Sequence, residues 1–143
     1  MKNNMEIKFK AIAENEAFAR NVVASFILPL NPSLNELEDI KTAINEAVTN
    51  AIVHAYPEKP GYVTMKISTE GNKVNINISD NGIGIKDIER ALTPFYTSKP
   101  NEERSGMGFT VMESFMDQLE VISGKEGVTV SMMKEILPTV VEM

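Results

Sequence analysis

The chain has 143 residues, 43% of them hydrophobic and 24% charged, with a net charge of −6, one histidine and no cysteine. That length and balance suit one domain, taken as residues 1–143, which can bury a core without staples; the absent thiols exclude disulfides, thiolate metal sites and cysteine nucleophiles. A lone histidine excludes a His-rich metal cluster, no Lys/Arg block offers a nucleic-acid track, and neither MKNNMEIKFK nor any later stretch suits a signal peptide or membrane span, so a cytoplasmic protein is expected.

MEIKFKA (5–11) alternates Met5, Ile7, Phe9 and Ala11 with Glu6, Lys8 and Lys10, which predicts a strand with one wet face. NEAFARNVVASFI (15–27) sets Phe18, Val22 and Phe26 at helical spacing, with Asn15 as its candidate cap and Pro29 and Pro32 beyond its end. Arg20 on this helix is the only basic residue between Lys10 and Lys41, and a candidate anchor for an acidic partner. Ser33 and Glu36 in SLNE form a capping-box pattern. The helix they open carries Leu37, Ile40, Ile44, Ala47, Val48, Ala51 and Ala55 as its buried stripe and ends in YPEKPG (56–61). Strands YVTMKIS (62–68) and KVNINIS (73–79) flank a hairpin connection at Glu70, Gly71 and Asn72. DNGIGI (80–85) breaks the alternation, and a short helix is expected around 86–92. The polar, proline-punctuated segment 93–106 has little to bury and reads as a lid. A helix over roughly 107–117 carries Phe109, Met112, Phe115 and Met116, and strands near 119–123 and 127–134 close the chain around a turn from Gly124 to Gly127. The order β-α-α-β-β-α-α-β-β predicts an α+β fold: a two-layer α/β sandwich, with a mixed, mostly antiparallel sheet and helices on one face.

Three stretches carry chemistry. In NEAVTNAIVHAY (45–56), Glu46, Asn50 and His54 recur every fourth residue and share a stripe of an otherwise apolar helix. In SDNGIGI, Asp80 ends an apolar strand ahead of Gly82 and Gly84; this is turn chemistry, but also a carboxylate able to accept from an exocyclic amine beside glycines that admit a flat ring. In RSGMGF, Gly106 and Gly108 precede a helix whose first N–H groups form an anion cradle. Neither a Walker lysine nor the full GxGxxG dinucleotide fingerprint is present. Thr97, Ser98, Lys99 and Arg104 in the lid are candidate phosphate contacts, and each equally suits a solvated loop.

Together and in this order, the stretches resemble the GHKL (Bergerat) superfamily of ATP-binding domains, which includes DNA gyrase, heat-shock chaperones and histidine kinases. EAVTNAIVHAY looks like its N box, DNGIGI its first glycine box, SGMGF its second and GVTV (127–130) a degenerate last box, over roughly residues 30 to 135. A compact chain with ERSGMGFTVM and no room for a phosphoacceptor helix pair or a transducer domain resembles the anti-sigma factor serine kinases of endospore-forming bacteria in particular. The resemblance implies ATP or ADP as ligand and Mg²⁺ held by Asn50, with Glu46 as general base and His54 structural. It implies Asp80 on the adenine amine, with Gly82, Gly84 and Ile85 alongside and Thr129 helping to hold the ring. The backbone of Ser105, Gly106, Met107, Gly108 and Phe109 would cradle phosphates under Thr97, Ser98, Lys99 and Arg104. It also implies a homodimer that sequesters a sporulation sigma factor of RNA polymerase and phosphorylates a serine on an anti-anti-sigma protein. The alternatives are an ATP-gated sequestering module without phosphotransfer and a histidine-kinase ATP domain acting in trans.

Overall fold

The computed structural model describes residues 2–55, 61–82, 108–124 and 127–137, and the side chains of all of these but His54 and Ala55. β1 (Lys2–Lys10) starts before the apolar alternation does, because Lys2, Asn3 and Asn4 pair with Glu70, Thr69 and Ser68 of β2 (Tyr62–Glu70). An ion pair of 3.3 Å between Lys2 and Glu70 marks that end. The length of the partner strand, which no local pattern reveals, sets the boundary. At the other end Ala11 leaves the strand, is buried, and donates its N–H to the Gly61 carbonyl at 2.8 Å.

α1 (Asn15–Ile27) buries Ala19, Val23 and Ile27, with Val22 and Phe26 packed on the flank of the core. The expected stripe is therefore rotated by one residue. Phe18 is 49% exposed and meets Phe9 edge-on, ring centroids 6.4 Å apart. Asn15 does not cap the helix: its side-chain amide donates to the Lys10 carbonyl at 2.8 Å, and Glu14 holds the cap position without a side-chain bond. A 3₁₀ turn (Leu28–Leu30) and Asn31 in the left-handed region (φ 54°) bring the chain round.

α2 (Leu34–Asn50) opens on the expected capping box: Ser33 Oγ accepts from the Glu36 N–H at 3.1 Å, and Glu36 Oε1 accepts from the Ser33 N–H at 2.8 Å. Glu36 Oε2 also accepts from the Leu137 N–H at 2.8 Å, so the box ties the helix start to the chain's last described residue. Burial pushes the Glu36 carboxyl up. The N–H groups of Ser33 and Leu137, the Ser33 hydroxyl and the Lys134 ammonium outweigh this and hold it below the usual carboxylate value. A lowered carboxyl contributes stability above its unfolded pKa and loses it as pH falls through the folded value. Ser33→Ala is expected to cost about 1 kcal/mol, a fall in Tm of roughly 3–4 °C. For Glu36→Gln, the Tm difference from wild type should be largest at neutral pH and shrink on acidification through the carboxylate range; a gap independent of pH contradicts the assignment.

β2 and β3 (Lys73–Asp80) form a hairpin in which Glu70 still pairs with Lys73, leaving only Gly71 and Asn72 as the loop. Gly71, at φ 58°, supplies the positive dihedral that so tight a connection needs. α3 (Gly108–Phe115) then leads into β4 (Gln118–Gly124) and β5 (Gly127–Glu135). At its C-terminal end Lys134 Nζ donates to the Phe115 carbonyl at 2.6 Å and lies 3.7 Å from Asp39, a cation where the helix dipole favours one. The helix expected around 86–92 and the lid at 93–106 lie outside the described residues.

The sheet runs β1-β2-β3-β5-β4, and every described pairing is antiparallel, so the mixed sheet expected from sequence is not seen among these strands. Two helices rather than one separate β1 from β2, and they return the chain to the sheet end it left, where Lys10 pairs with Tyr62. One face, including Met65, Ile76, Ile78, Val130 and Met132, is buried with α1, α2 and α3. The other carries Lys66, Asn75, Asn77 and Ser131 and stays open, as an antiparallel sheet permits.

Candidate nucleotide site

α2 delivers Glu46 and Asn50, both half-buried, to the start of α3. A Cβ built on Gly108 would lie 3.1 Å from Asn50 Nδ2, 3.3 Å from Asn50 Oδ1 and 3.3 Å from Glu46 Oε2. Glycine there lets the start of α3, the end of a helix that favours anions, close directly onto a carboxylate and a side-chain amide. Hard oxygen donors beside an anion-binding helix start suit a magnesium–phosphate group. Phe109 follows with its ring buried in the core, so only its backbone belongs to this helix start. After Asn50 the helix continues as a π turn (Ala51–Ala55), whose wider i→i+5 turn advances each residue less. The side chain of His54, the third member of the expected stripe, lies outside the described ones.

Asp80 ends β3 on the buried face, 9% exposed. Its Oδ1 accepts from the Gly82 N–H at 2.9 Å and the Val128 N–H at 3.3 Å, and no described residue donates to Oδ2. Burial raises its pKa, and the two N–H groups only partly offset that. A buried carboxylate oxygen that none of the described residues satisfies is suited to a ligand N–H. Gly127 makes this geometry possible. It sits at φ 114°, and a Cβ on it would lie 2.1 Å from the Asp80 carbonyl oxygen and 2.8 Å from Oδ1.

Thr129 is not brought to Asp80. It pairs with Ser79, donates its hydroxyl to Ser79 Oγ at 3.3 Å, and projects from the open face of the sheet. Strand side chains alternate with period two, so the residue beside the Asp80 carboxylate is its neighbour Val128, buried at 9%. The position expected beside Asp80 is thus one residue from the one observed, and counting by twos from buried Val130 locates Val128. Gly84, Ile85, Thr97, Ser98, Lys99, Arg104, Ser105, Gly106 and Met107 lie outside the described residues. Arg20, the candidate anchor for an acidic partner, donates to Asn45 Oδ1 on α2. The groove on the open face, lined by Asn75, Asn77, Glu120 and Ser131, contains none of the site groups.

Comparison with known proteins places the chain in a family. Residues 9–134 match the family model described as the histidine kinase-like ATPase domain. The anti-sigma F factor of Clostridium acetobutylicum is 53% identical over 135 residues, covering 94% of each chain. That of Oceanobacillus iheyensis is 51% identical over 138 residues, covering 95% of this chain and 94% of the other. Among solved structures, the RsbU and RsbW domains of a Mycobacterium tuberculosis protein superpose with a TM-score of 0.69 at 16% identity, over 94% of this chain and 32% of that one. The catalytic domain of a histidine kinase, ThkA, does so with a TM-score of 0.58 at 16% identity, over 94% and 99%. At such identities the structural likeness speaks for the fold. With half its positions shared with relatives that it matches over nearly their whole length, and a family model spanning most of its own, the chain belongs to the histidine kinase-like ATPase domain family and, within it, to the anti-sigma F factors.

Proposed function

We propose that this protein, acting in the cytoplasm as a homodimer, sequesters the sporulation sigma factor F of RNA polymerase and transfers the γ-phosphoryl group of ATP to a serine of an anti-anti-sigma antagonist. The observation that supports the catalytic part is the closure of Gly108 onto Glu46 and Asn50, which puts a carboxylate, a side-chain amide and the start of α3 within one contact of each other. Mg²⁺, held by Asn50 Oδ1 with phosphate oxygens, would neutralise charge on the triphosphate. Glu46 would take the proton from the attacking serine hydroxyl. The serine oxygen bonds to the γ-phosphorus as the bond to the β–γ bridging oxygen breaks, and ADP leaves. Asp80 would accept the adenine amine, with Val128 beside it. The lid at 93–106, with Thr97, Ser98, Lys99 and Arg104, would close over the phosphates and alter the surface that the partners meet.

Incubation with γ-labelled ATP, Mg²⁺ and host extract tests the reading. Acid-stable label on a second protein is expected, because phosphoserine survives acid. Acid-labile label would instead mark a histidine kinase acting in trans, and ATP binding without any labelled protein a nucleotide-gated sequestering module.

A further inference from the structure

Two polar links join α1 to α2. The Arg20 guanidinium donates to Asn45 Oδ1, and the Thr49 hydroxyl donates to Glu16 Oε1 at 3.0 Å. Thr49 is fully buried, at 0% exposure, in a helix whose neighbouring interior positions are Ala47 and Val48. Residues 16 and 20 lie one turn apart on α1, and 45 and 49 one turn apart on α2, paired in opposite order as antiparallel helices require. Each α2 partner immediately precedes a site residue: Asn45 stands before Glu46, and Thr49 before Asn50.

One residue is 100° of helix, so whatever fixes the azimuth of Asn45 and Thr49 fixes that of Glu46 and Asn50. Apolar packing is non-directional. Two hydrogen bonds a turn apart resist both rotation and sliding. We propose that Glu16 and Arg20 are positioning residues, acting through Thr49 and Asn45 to hold α2 at the rotation that presents Glu46 and Asn50 to Gly108. The proposal rests on the roles given to Glu46 and Asn50 above. A side-chain group lies about 5–6 Å from the helix axis, so a rotation of roughly 10° moves it by about 1 Å. A displacement of that size costs on the order of 10²-fold in rate.

The test measures ATP binding to the purified chain across a Mg²⁺ titration, which reads the placement of Asn50, together with single-turnover phosphoryl transfer. Thr49→Val keeps the volume and loses the hydroxyl; Thr49→Ser keeps the hydroxyl. Thr49→Val is expected to raise the Mg²⁺ needed for half-maximal ATP binding about 5–10-fold and to slow transfer about 10–100-fold. Thr49→Ser should remain within about threefold of wild type in both, while Glu16→Ala combined with Thr49→Val should be no worse than the worse single variant, since both remove one link. Asn45→Ala, at a half-exposed position, reads the second link and should shift the Mg²⁺ requirement in the same direction even if a Thr49 variant folds poorly. Wild-type Mg²⁺ dependence in Thr49→Val and Asn45→Ala, equal damage from Thr49→Ser and Thr49→Val, or multiplying effects of Glu16→Ala and Thr49→Val would each overturn the proposal. If the wild type itself transfers no phosphate, the kinase reading fails, and the Mg²⁺ titration still decides this one.

Discussion

Glu46→Gln should slow phosphoryl transfer by about 10²–10⁴-fold, the range that a positioned general base contributes, while leaving ATP binding within a few-fold of wild type. The substitution preserves the side-chain shape and removes only the charge and the basic oxygen. In the structure Glu46 Oε2 approaches the start of α3 at Gly108, beside the Asn50 amide, and one turn nearer the N-terminus of α2 than Asn50. On the proposed reading this is where the phosphates lie, while Asp80, at the end of β3, receives the adenine ring. Loss of a negative charge near a triphosphate would, if anything, favour binding, so weakened affinity cannot account for a lost rate. Single-turnover transfer from labelled ATP and an equilibrium ATP titration separate the two quantities. Transfer within tenfold of wild type would remove Glu46 from the mechanism and leave proton loss to the serine's surroundings. A fall in affinity equal to the fall in rate would instead make it a residue of ground-state binding.

Local signals carried most of the architecture. Alternation located β2 and β3, and the Ser33–Glu36 spacing located the start of α2, because in each case the atoms that satisfy the pattern lie within a few residues of one another. Where the decisive partner is distant, sequence fell short. The polar start of β1 is held by Ser68, Thr69 and Glu70, and the buried face of α1 is set by its contacts with α2. The site divides along the same line. The four-residue repeat of Glu46 and Asn50 was legible, but that Gly108 closes on them is a tertiary fact. The resemblance implies a ligand role for Thr129, but register turns its side chain to the face opposite Val128, since one residue along a strand reverses the side. The Thr49–Glu16 bond joins residues 33 positions apart, and nothing in either stretch alone links them.

Gly127→Ala is the substitution expected to harm nucleotide binding most for its size. A φ of 114° is a backbone conformation that L side chains rarely adopt, and the added methyl would stand 2.1 Å from the Asp80 carbonyl oxygen and 2.8 Å from its carbonyl carbon and Oδ1. All three atoms belong to one residue at the end of β3, where backbone rather than a flexible side chain must yield. β5 would have to retreat by more than 1 Å to restore contact distance (carbon to oxygen about 3.3 Å), and that breaks the Val128 N–H bond to Asp80, already 3.3 Å long. Backbone strain of about 1–3 kcal/mol adds to a lost bond to a charged group of about 1.5–3 kcal/mol, so a large fall in Tm is expected together with a loss of ATP affinity of about 100-fold or more. The pH dependence supplies a signature of mechanism. Burial already raises the Asp80 pKa, so in the wild type the carboxylate protonates and ATP affinity falls as pH drops through that raised value. Removing the Val128 donor, which lowers the pKa, should move this fall to higher pH in the variant. Gly71→Ala is the control: Gly71 also has a positive φ, 58°, but a Cβ there meets nothing within 4 Å. It should lose about 1–2 kcal/mol of stability from conformation alone and bind ATP as the wild type does. Equal binding defects in the two variants would show that strain at a glycine, and not the collision with Asp80, governs the site; a defect confined to Gly127→Ala would show that the nucleotide depends on how closely β5 approaches the end of β3.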